Sequence, residues 1–166
     1  MNIEIKQSKR RISYQKAMMI LNKRVQELKE NKNKELLWIL EHPTTYTAGI
    51  RSNSNEILDK KIKIVKTNRG GKITLHNPGQ KIIYFVLNLN KRKKDIRKLI
   101  SLIEDSIIEF LKHYKINGVK DKKNIGIWVN KKKIAAIGLK ISRWIAYHGF
   151  AININNNLNQ YFKVIP

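Results

Sequence analysis

The stretch RGGKITLHNPGQ, residues 69–80, is the densest in residue types able to do chemistry. Paired glycines let a backbone approach a ligand closely and present its amide donors. Arg69 adds a fixed positive charge, and His76 a polar ring one strand further on. Two phosphate-binding patterns fail here. Gly71-Lys72 is followed by Ile73 rather than Ser or Thr and lacks the upstream glycine of a Walker loop, and no dinucleotide fingerprint is present. A single Arg-Gly-Gly is not the repeated segment that binds RNA. By spacing alone, a Gly-rich hairpin with Arg69 and His76 facing solvent explains the stretch equally well.

KIAAIG, residues 133–138, is the second such stretch. As a strand it places Ala136 and Gly138 on one face and Lys133, Ala135 and Ile137 on the other. In HGFAINI, Gly149 and Ala151 likewise share a face. If the two strands are neighbours, these small residues leave room over the sheet for a slender apolar ligand such as an alkyl chain. Close helix-on-sheet packing uses the same pattern and is its commoner cause. Lys133 is expected at the mouth of that gap, although in so lysine-rich a chain any one lysine reads first as a solvated surface charge. His42, His76, His113 and His148 have no metal-ligand spacing and no cysteine to join them, so neither a metal nor a cofactor is expected. His113 falls near a helix end, as a surface or capping residue. No carboxylate pair suggests acid–base hydrolysis.

The elements that position these residues follow from periodicity. Residues 12–30 read as an amphipathic helix with Met18, Leu21, Val25 and Leu28 on one face. ELLWILEH reads as a buried strand closed by Pro43 and a polar turn, TTYTAG; KIKIVKT alternates as a strand. A short strand, a turn at Asn77-Pro78-Gly79 and a buried strand follow. Asp95 is a candidate N-cap for a second helix striped by Ile96, Leu99, Ile100, Ile103, Ile107, Phe110, Leu111 and Tyr114. NIGIWV and KIAAIGLKI flank Asn130-Lys131-Lys132 as a hairpin, and AYHGFAINI is a further strand. The class expected is α+β, with a mainly antiparallel mixed sheet flanked by helices.

Length and composition set the outer bounds. The 166 residues fit one domain over 1–166 with a substantial core. Thirty-five Lys and Arg against 12 Asp and Glu give a net charge of +23. Such a field draws nucleic acid, anionic membrane or an acidic protein, yet Lys, Ile and Asn recur in almost every segment rather than in one tail. The absence of cysteine excludes a disulfide scaffold, a thiolate metal site and a cysteine nucleophile within this sequence. MNIEIKQSKRRIS is basic without the apolar core of a secretory signal, and no apolar run approaches bilayer length. A cytoplasmic protein is expected.

Taken in order, EHPTTYTAG, RGGKITLHNPGQ, GIWVNKKKIAAIG, HGFAININ and the final YFKVIP resemble the lipoyl(octanoyl) transferase family of lipoate biosynthesis, from the first helix to the last residue. The resemblance implies a sheet fold shared with biotin and lipoate ligases and related to class II aminoacyl-tRNA synthetase cores. It implies transfer of octanoyl from octanoyl-acyl carrier protein to a lysine of apo lipoyl domains, in 2-oxoacid dehydrogenase and glycine-cleavage-type proteins, by a monomer. By the same resemblance, substrate binding falls to Arg69, Gly70, Gly71, Lys72, Ile73, Thr74, Leu75 and His76, to Ala136, Ile137 and Gly138, and to Gly149, Phe150 and Ala151. Lys133 corresponds to the lysine that lowers the pKa of a cysteine nucleophile. That cysteine belongs to a Pro-Cys-Gly turn whose proline is matched by Pro166, so it would be the residue after Pro166. The sequence is therefore expected to be cut just before the nucleophile and to be inactive as written. An ATP-dependent lipoate–protein ligase, a non-catalytic octanoyl-binding remnant and a basic nucleic-acid-binding module are the alternatives. Val164 and Ile165 are expected to point into the core.

Overall fold

The computed structural model describes residues 3–121 and 123–166. Two helices form where the periodicity places them. In α1, Tyr14–Lys29, the Ser13 hydroxyl caps the first turn by accepting from the Lys16 amide at 3.3 Å. Its face of Tyr14, Ala17, Leu21, Val25 and Leu28 is buried, with Met18 half-buried at the edge of the stripe. In α2, Ile96–His113, Asp95 is the N-cap and accepts from the Lys98 amide at 2.9 Å. Ile103, Ile107 and Leu111 carry its buried stripe, while His113 is exposed in the last turn.

Among the described residues there are ten strands: β1 Ile3–Gln7, β2 Glu35–Leu40, β3 Thr45–Ala48, β4 Ile64–Lys66, β5 Ile73–His76, β6 Gln80–Asn88, β7 Val119–Lys120, β8 Ile127–Val129, β9 Lys132–Ser142 and β10 Ile145–Asn153. Seven form one sheet in the order β1-β2-β6-β10-β9-β8-β7. Only its β1–β2 pair is parallel, and that is the pair bridged by a helical crossover, α1. A small second sheet, β4-β3-β5, pairs β3 parallel to β4 and antiparallel to β5. The class is α+β with a mixed, mostly antiparallel sheet.

The large sheet is covered on both faces, which is why β6 reads as a continuous apolar run. Ile82, Tyr84 and Val86 point toward α1, together with Leu36, Trp38, Leu40, Tyr147 and Ala151. Ile83, Phe85 and Leu87 point toward α2, with Ile127, Ala135, Ala146 and Ile152. A third cluster of Tyr46, Ile73, Leu75 and Val164 fills the small sheet. Among the described residues, no helix is long and apolar enough to cross a membrane.

Two expectations need correction, and one strand was not expected. TTYTAG is not a turn: Thr45–Ala48 is β3, whose Tyr46 and Thr47 are buried by the sheet it centres, so aromatic and β-branched packing prevails over the polar composition. Ile3–Gln7 is a strand that no local turn signal announces, because its partner β2 lies beyond a whole helix. In the last residues Val164 is buried and bridges Ile57, but Ile165 is about half exposed and Pro166 is exposed beside it. The core-directed run therefore closes at Val164, which packs in the cluster of the small sheet. The expected hairpin at Asn130-Lys131 forms with both residues left-handed, at φ 48° and 62°, the conformation a tight two-residue hairpin requires.

Candidate acyl-binding site

The segment between β4 and β5 crosses from the small sheet to the large one. The Gly70 amide donates to the Leu139 carbonyl of β9 at 3.1 Å, and Ile50 and Arg51 amides donate to the Arg69 and Gly71 carbonyls, each at 3.1 Å. The loop is so tight that a Cβ on Gly49 would come within 2.3 Å of the Gly71 carbonyl oxygen. Beneath it the two small-residue stripes are direct neighbours: Ala136 pairs with Ala151 and Gly138 with Gly149 across β9 and β10. The space over Gly138 is occupied by chain, since a Cβ there would lie 3.4 Å from Arg69 Cδ and 3.6 Å from the Gly70 oxygen. A loop, rather than a helix, uses the smallness of these residues at that point.

Arg69 and His76 do not face solvent, and the open-hairpin reading is overturned: each is 8% exposed. The Arg69 guanidinium donates to the Thr47 carbonyl and hydroxyl, both at 2.9 Å, and to the Gly70 carbonyl at 3.0 Å. Among the described residues, its Nε is buried without a partner, as is the Tyr14 hydroxyl. No carboxylate among the described residues is within ion-pair distance of Arg69, and burial pulls its pKa down. A buried cation held by neutral oxygens, with one donor spare, is suited to an additional acceptor from a ligand.

Around Arg69 gathers a buried polar cluster. The His42 ring lies 5.6 Å from that of His76 and 5.4 Å from that of Tyr14, and the Tyr14 ring stacks on His76 at 6.1 Å. His42 Nδ1 donates to the Ile12 carbonyl at 2.6 Å, and the Tyr84 hydroxyl donates to His42 Nε2 at 2.9 Å. His76 Nδ1 is 2.8 Å from Gln80 Oε1. His148 Nε2 is 3.0 Å from Asn68 Oδ1 at the start of the Arg-Gly-Gly loop. Loss of hydration drives all three imidazoles toward the neutral form. The nearby His42 and Arg69 assist at His76, lowering it to about 3, and Arg69 and Lys140 assist at His148, lowering it to about 4. Burial also raises the Tyr14 and Tyr84 phenols.

His148 departs from the alternation of its strand. Its φ of 68° turns the ring onto the side of Tyr147, against which it stacks at 5.0 Å. Gly149 follows at φ 158°, where a Cβ would lie 1.9 Å from the Ile83 carbonyl oxygen of β6, so only glycine permits the ladder to close.

The remaining residues singled out from the sequence divide between this centre and its surroundings. Ile73 and Leu75 fill the core of the small sheet, with Thr74 between them on β5. Ile137 and Phe150 pack on the α2 face, away from Ala151. Lys72 is exposed and ion-paired to Glu56 at 3.0 Å. Lys133 stands at the start of β9 with its ammonium 4.9 Å over the Trp128 ring. Partial loss of hydration lowers its pKa, opposed by the charge of Asp121. Pro166, after which the resemblance puts the nucleophile, is exposed two residues beyond the buried Val164, and the sequence contains no cysteine to set beside Lys133. Sequence reasoning overlooked Tyr14 and Tyr84, and the placement of His42, Gln80 and His148 in this cluster. Only Gln80, four residues after His76, carries a local signal. Among the described residues, no group of three or more potential ligands is placed to hold a metal ion.

Comparison with known proteins places the chain in a family. Residues 13–166 match the family model described as the lipoyl protein ligase A/B catalytic domain. Among curated proteins, the octanoyltransferase of Wolbachia sp. subsp. Brugia malayi is 44% identical over 93% of this chain and 78% of its own length. The octanoyltransferase of Ehrlichia chaffeensis is 40% identical over 99% of this chain and 79% of its length. Among solved structures, a bi-partite lipoate protein ligase from Thermoplasma acidophilum superimposes with a TM-score of 0.74 at 14% identity, covering 100% of this chain and 67% of that one. LipL1 of P. falciparum, solved with lipoate, gives 0.69 at 20% identity over 99% of this chain and 52% of that one. These two likenesses concern the fold alone. A match over nearly the whole length, joined to relatives above one-third identity, settles the descent of the sequence: the chain belongs to the lipoyl protein ligase A/B catalytic-domain family.

Proposed function

We propose that this chain binds the octanoyl group in an octanoyltransferase, which moves octanoyl from the thioester of octanoyl-acyl carrier protein to a lysine amine of an apo lipoyl domain. The observation that carries the reading is a buried Arg69 whose Nε, like the Tyr14 hydroxyl, has no partner among the described residues, together with the small side chains of Ala136 and Ala151 paired on neighbouring strands. An alkyl chain suits the small apolar side chains, and an acyl oxygen suits the spare donors.

In this chemistry a thiolate attacks the carrier thioester and expels the carrier thiol. The target amine then attacks the new acyl thioester, forms the amide and returns the thiolate. The sequence through Pro166 has no cysteine of its own to supply that thiolate. Arg69 to His76, Ala136 to Gly138 and Gly149 to Ala151 hold the acyl group in this reading. The ammonium of Lys133 favours thiolate over thiol when a cysteine is brought beside it. The +23 charge speeds encounter with an acidic carrier protein. The acceptors are lipoyl domains of 2-oxoacid dehydrogenase and glycine-cleavage-type proteins, and the setting is the cytoplasm, with the protein as a monomer.

Protein purified from its native source, incubated with octanoyl-acyl carrier protein and apo lipoyl domain, tests the reading by intact mass. Octanoylation of the lipoyl domain without ATP, through a hydroxylamine-labile enzyme adduct, supports it. A requirement for ATP and free octanoate identifies a ligase instead. Absence of octanoate binding by calorimetry removes even the binding role.

A further inference from the structure

Gln80 opens β6 and sits at the centre of a chain of side-chain amides that the proposed chemistry leaves unused. Its Nε2 donates to Asn153 Oδ1 at 2.9 Å, is 3.2 Å from the Tyr161 hydroxyl and 3.3 Å from the Leu75 carbonyl oxygen. Asn153 Nδ2 donates to the Lys133 carbonyl at 3.4 Å, and Asn153 Oδ1 also receives Asn156 Nδ2 at 3.2 Å. Asn156 Nδ2 further reaches Asn77 Oδ1 at 2.9 Å, and Asn77 Nδ2 donates to the Asn157 carbonyl at 2.8 Å.

The orientation of these amides is decided where they meet backbone carbonyls. A carbonyl only accepts, so an amide atom that faces Leu75, Lys133 or Asn157 is the nitrogen of its NH2 group. The Tyr161 hydroxyl gives its proton to Leu75 O at 3.0 Å and therefore faces Gln80 as an acceptor. With the Gln80 nitrogen committed on that side, its oxygen is the atom 2.8 Å from His76 Nδ1. An amide oxygen cannot donate. Nδ1 must carry the proton, and in the neutral ring Nε2 is then a bare lone pair. Among the described residues, no donor satisfies that lone pair.

We propose that Gln80 is a positioning residue that fixes His76 as the Nδ1–H tautomer, so that His76 Nε2 is the acceptor for an N–H or O–H donor of the ligand. On the octanoyl-transfer reading that donor is the incoming lysine amine, oriented by the bond to Nε2. The tautomer itself rests only on hydrogen bonding, and its test needs neither substrate nor turnover. Failure here and failure of the transferase reading are therefore separate results.

The test is a long-range proton–nitrogen correlation spectrum of the protein labelled with 15N-histidine at neutral pH. His76 is expected protonated at Nδ1 and bare at Nε2. His42, whose Nδ1 is held by the Ile12 carbonyl and not by Gln80, is the internal control. In Gln80→Met the His76 pattern is expected to change to Nε2–H or to exchange between forms, while the His42 pattern stays. An Nε2–H pattern for His76 in the parent protein overturns the proposal, as does an unchanged Nδ1–H pattern in Gln80→Met. Should that variant not fold, Gln80→Glu serves: a carboxylate only accepts, so His76 keeps Nδ1–H while its ring-nitrogen shifts move and its pKa rises if the contact exists. An unchanged spectrum overturns it.

Discussion

Gly149 of β10 pairs directly with Gly138 of β9, yet the two glycines serve different neighbours. Behind Gly149 lies the backbone of β6, and above Gly138 lies Arg69. Alanine at the two positions should separate these roles. Gly149→Ala drives a methyl to 1.9 Å from the Ile83 oxygen and should cost about 3 kcal/mol or prevent folding. Gly138→Ala meets only ordinary contacts, at 3.4 Å and beyond, and should cost about 1 kcal/mol or less. Urea denaturation of both variants checks the contrast, and equal losses would contradict it.

Acid should weaken the fold before the carboxylates titrate. His76 and His148 have folded-state pKa values of about 3 and about 4, below the ordinary imidazole value, and His42 is lowered too. The unfolded chain therefore binds more protons below about pH 6.5, and stability falls with pH by up to about 1.4 kcal/mol per unit for each such ring. Above that pH the contribution is complete. Denaturation midpoints at pH 7, 6 and 5 should drop steadily; a flat profile would show that the rings are not buried neutral.

Replacing Arg69 with lysine keeps the charge and removes the fork. One ammonium cannot reproduce the bonds to Thr47 and Gly70 together, so stability should fall by roughly 2–3 kcal/mol. Octanoate affinity should fall at least about tenfold, by about 1.4 kcal/mol. Calorimetry on Arg69→Lys, with its fold checked by circular dichroism, reads both.

Lys133→Met should behave in the opposite way. The lysine is exposed and its ammonium rests over Trp128, a contact contributing about 0.5–1 kcal/mol. Thermal stability should change little, and octanoate affinity should stay within about twofold. A large loss of binding would place the ammonium on the acyl group itself.

Glu35 tests the frame rather than the site. It is buried at the start of β2, where it accepts from the Asn88 amide at 2.6 Å and from Arg92 Nη2 at 2.7 Å. Glu35→Ala strands both donors and should cost about 3–5 kcal/mol. A chemical-denaturation series that finds less than 1 kcal/mol (about a fivefold change in the folding constant) would show that the pair is dispensable.

Much of this architecture was legible in the sequence, for reasons that vary by element. The helices announced themselves because their apolar stripes have the helical period, and Asp95 is a local cap for the second. The pairing of Ala136 with Ala151 and of Gly138 with Gly149 was legible as two stripes of small residues, which strand alternation turns into neighbours. The loop that fills the space over Gly138 was not, because a loop has no period. Nor was the histidine cluster. His42, His76 and His148 lie on segments far apart in the chain, and His148 joins the cluster only through a left-handed φ that breaks the alternation of its own strand. Strand β1 escaped notice because parallel pairing across a helix leaves no adjacent turn to signal it.

The single backbone bond from the Gly70 amide to the Leu139 carbonyl joins the Arg-Gly-Gly loop to β9 without belonging to either sheet's ladder. That bond can therefore open without breaking a rung of either ladder. The Gly70 amide then becomes a natural clock for the site. Its proton is expected to exchange with solvent through local opening, faster than the amides of β6, and an acyl ligand held by Arg69 is expected to slow that exchange.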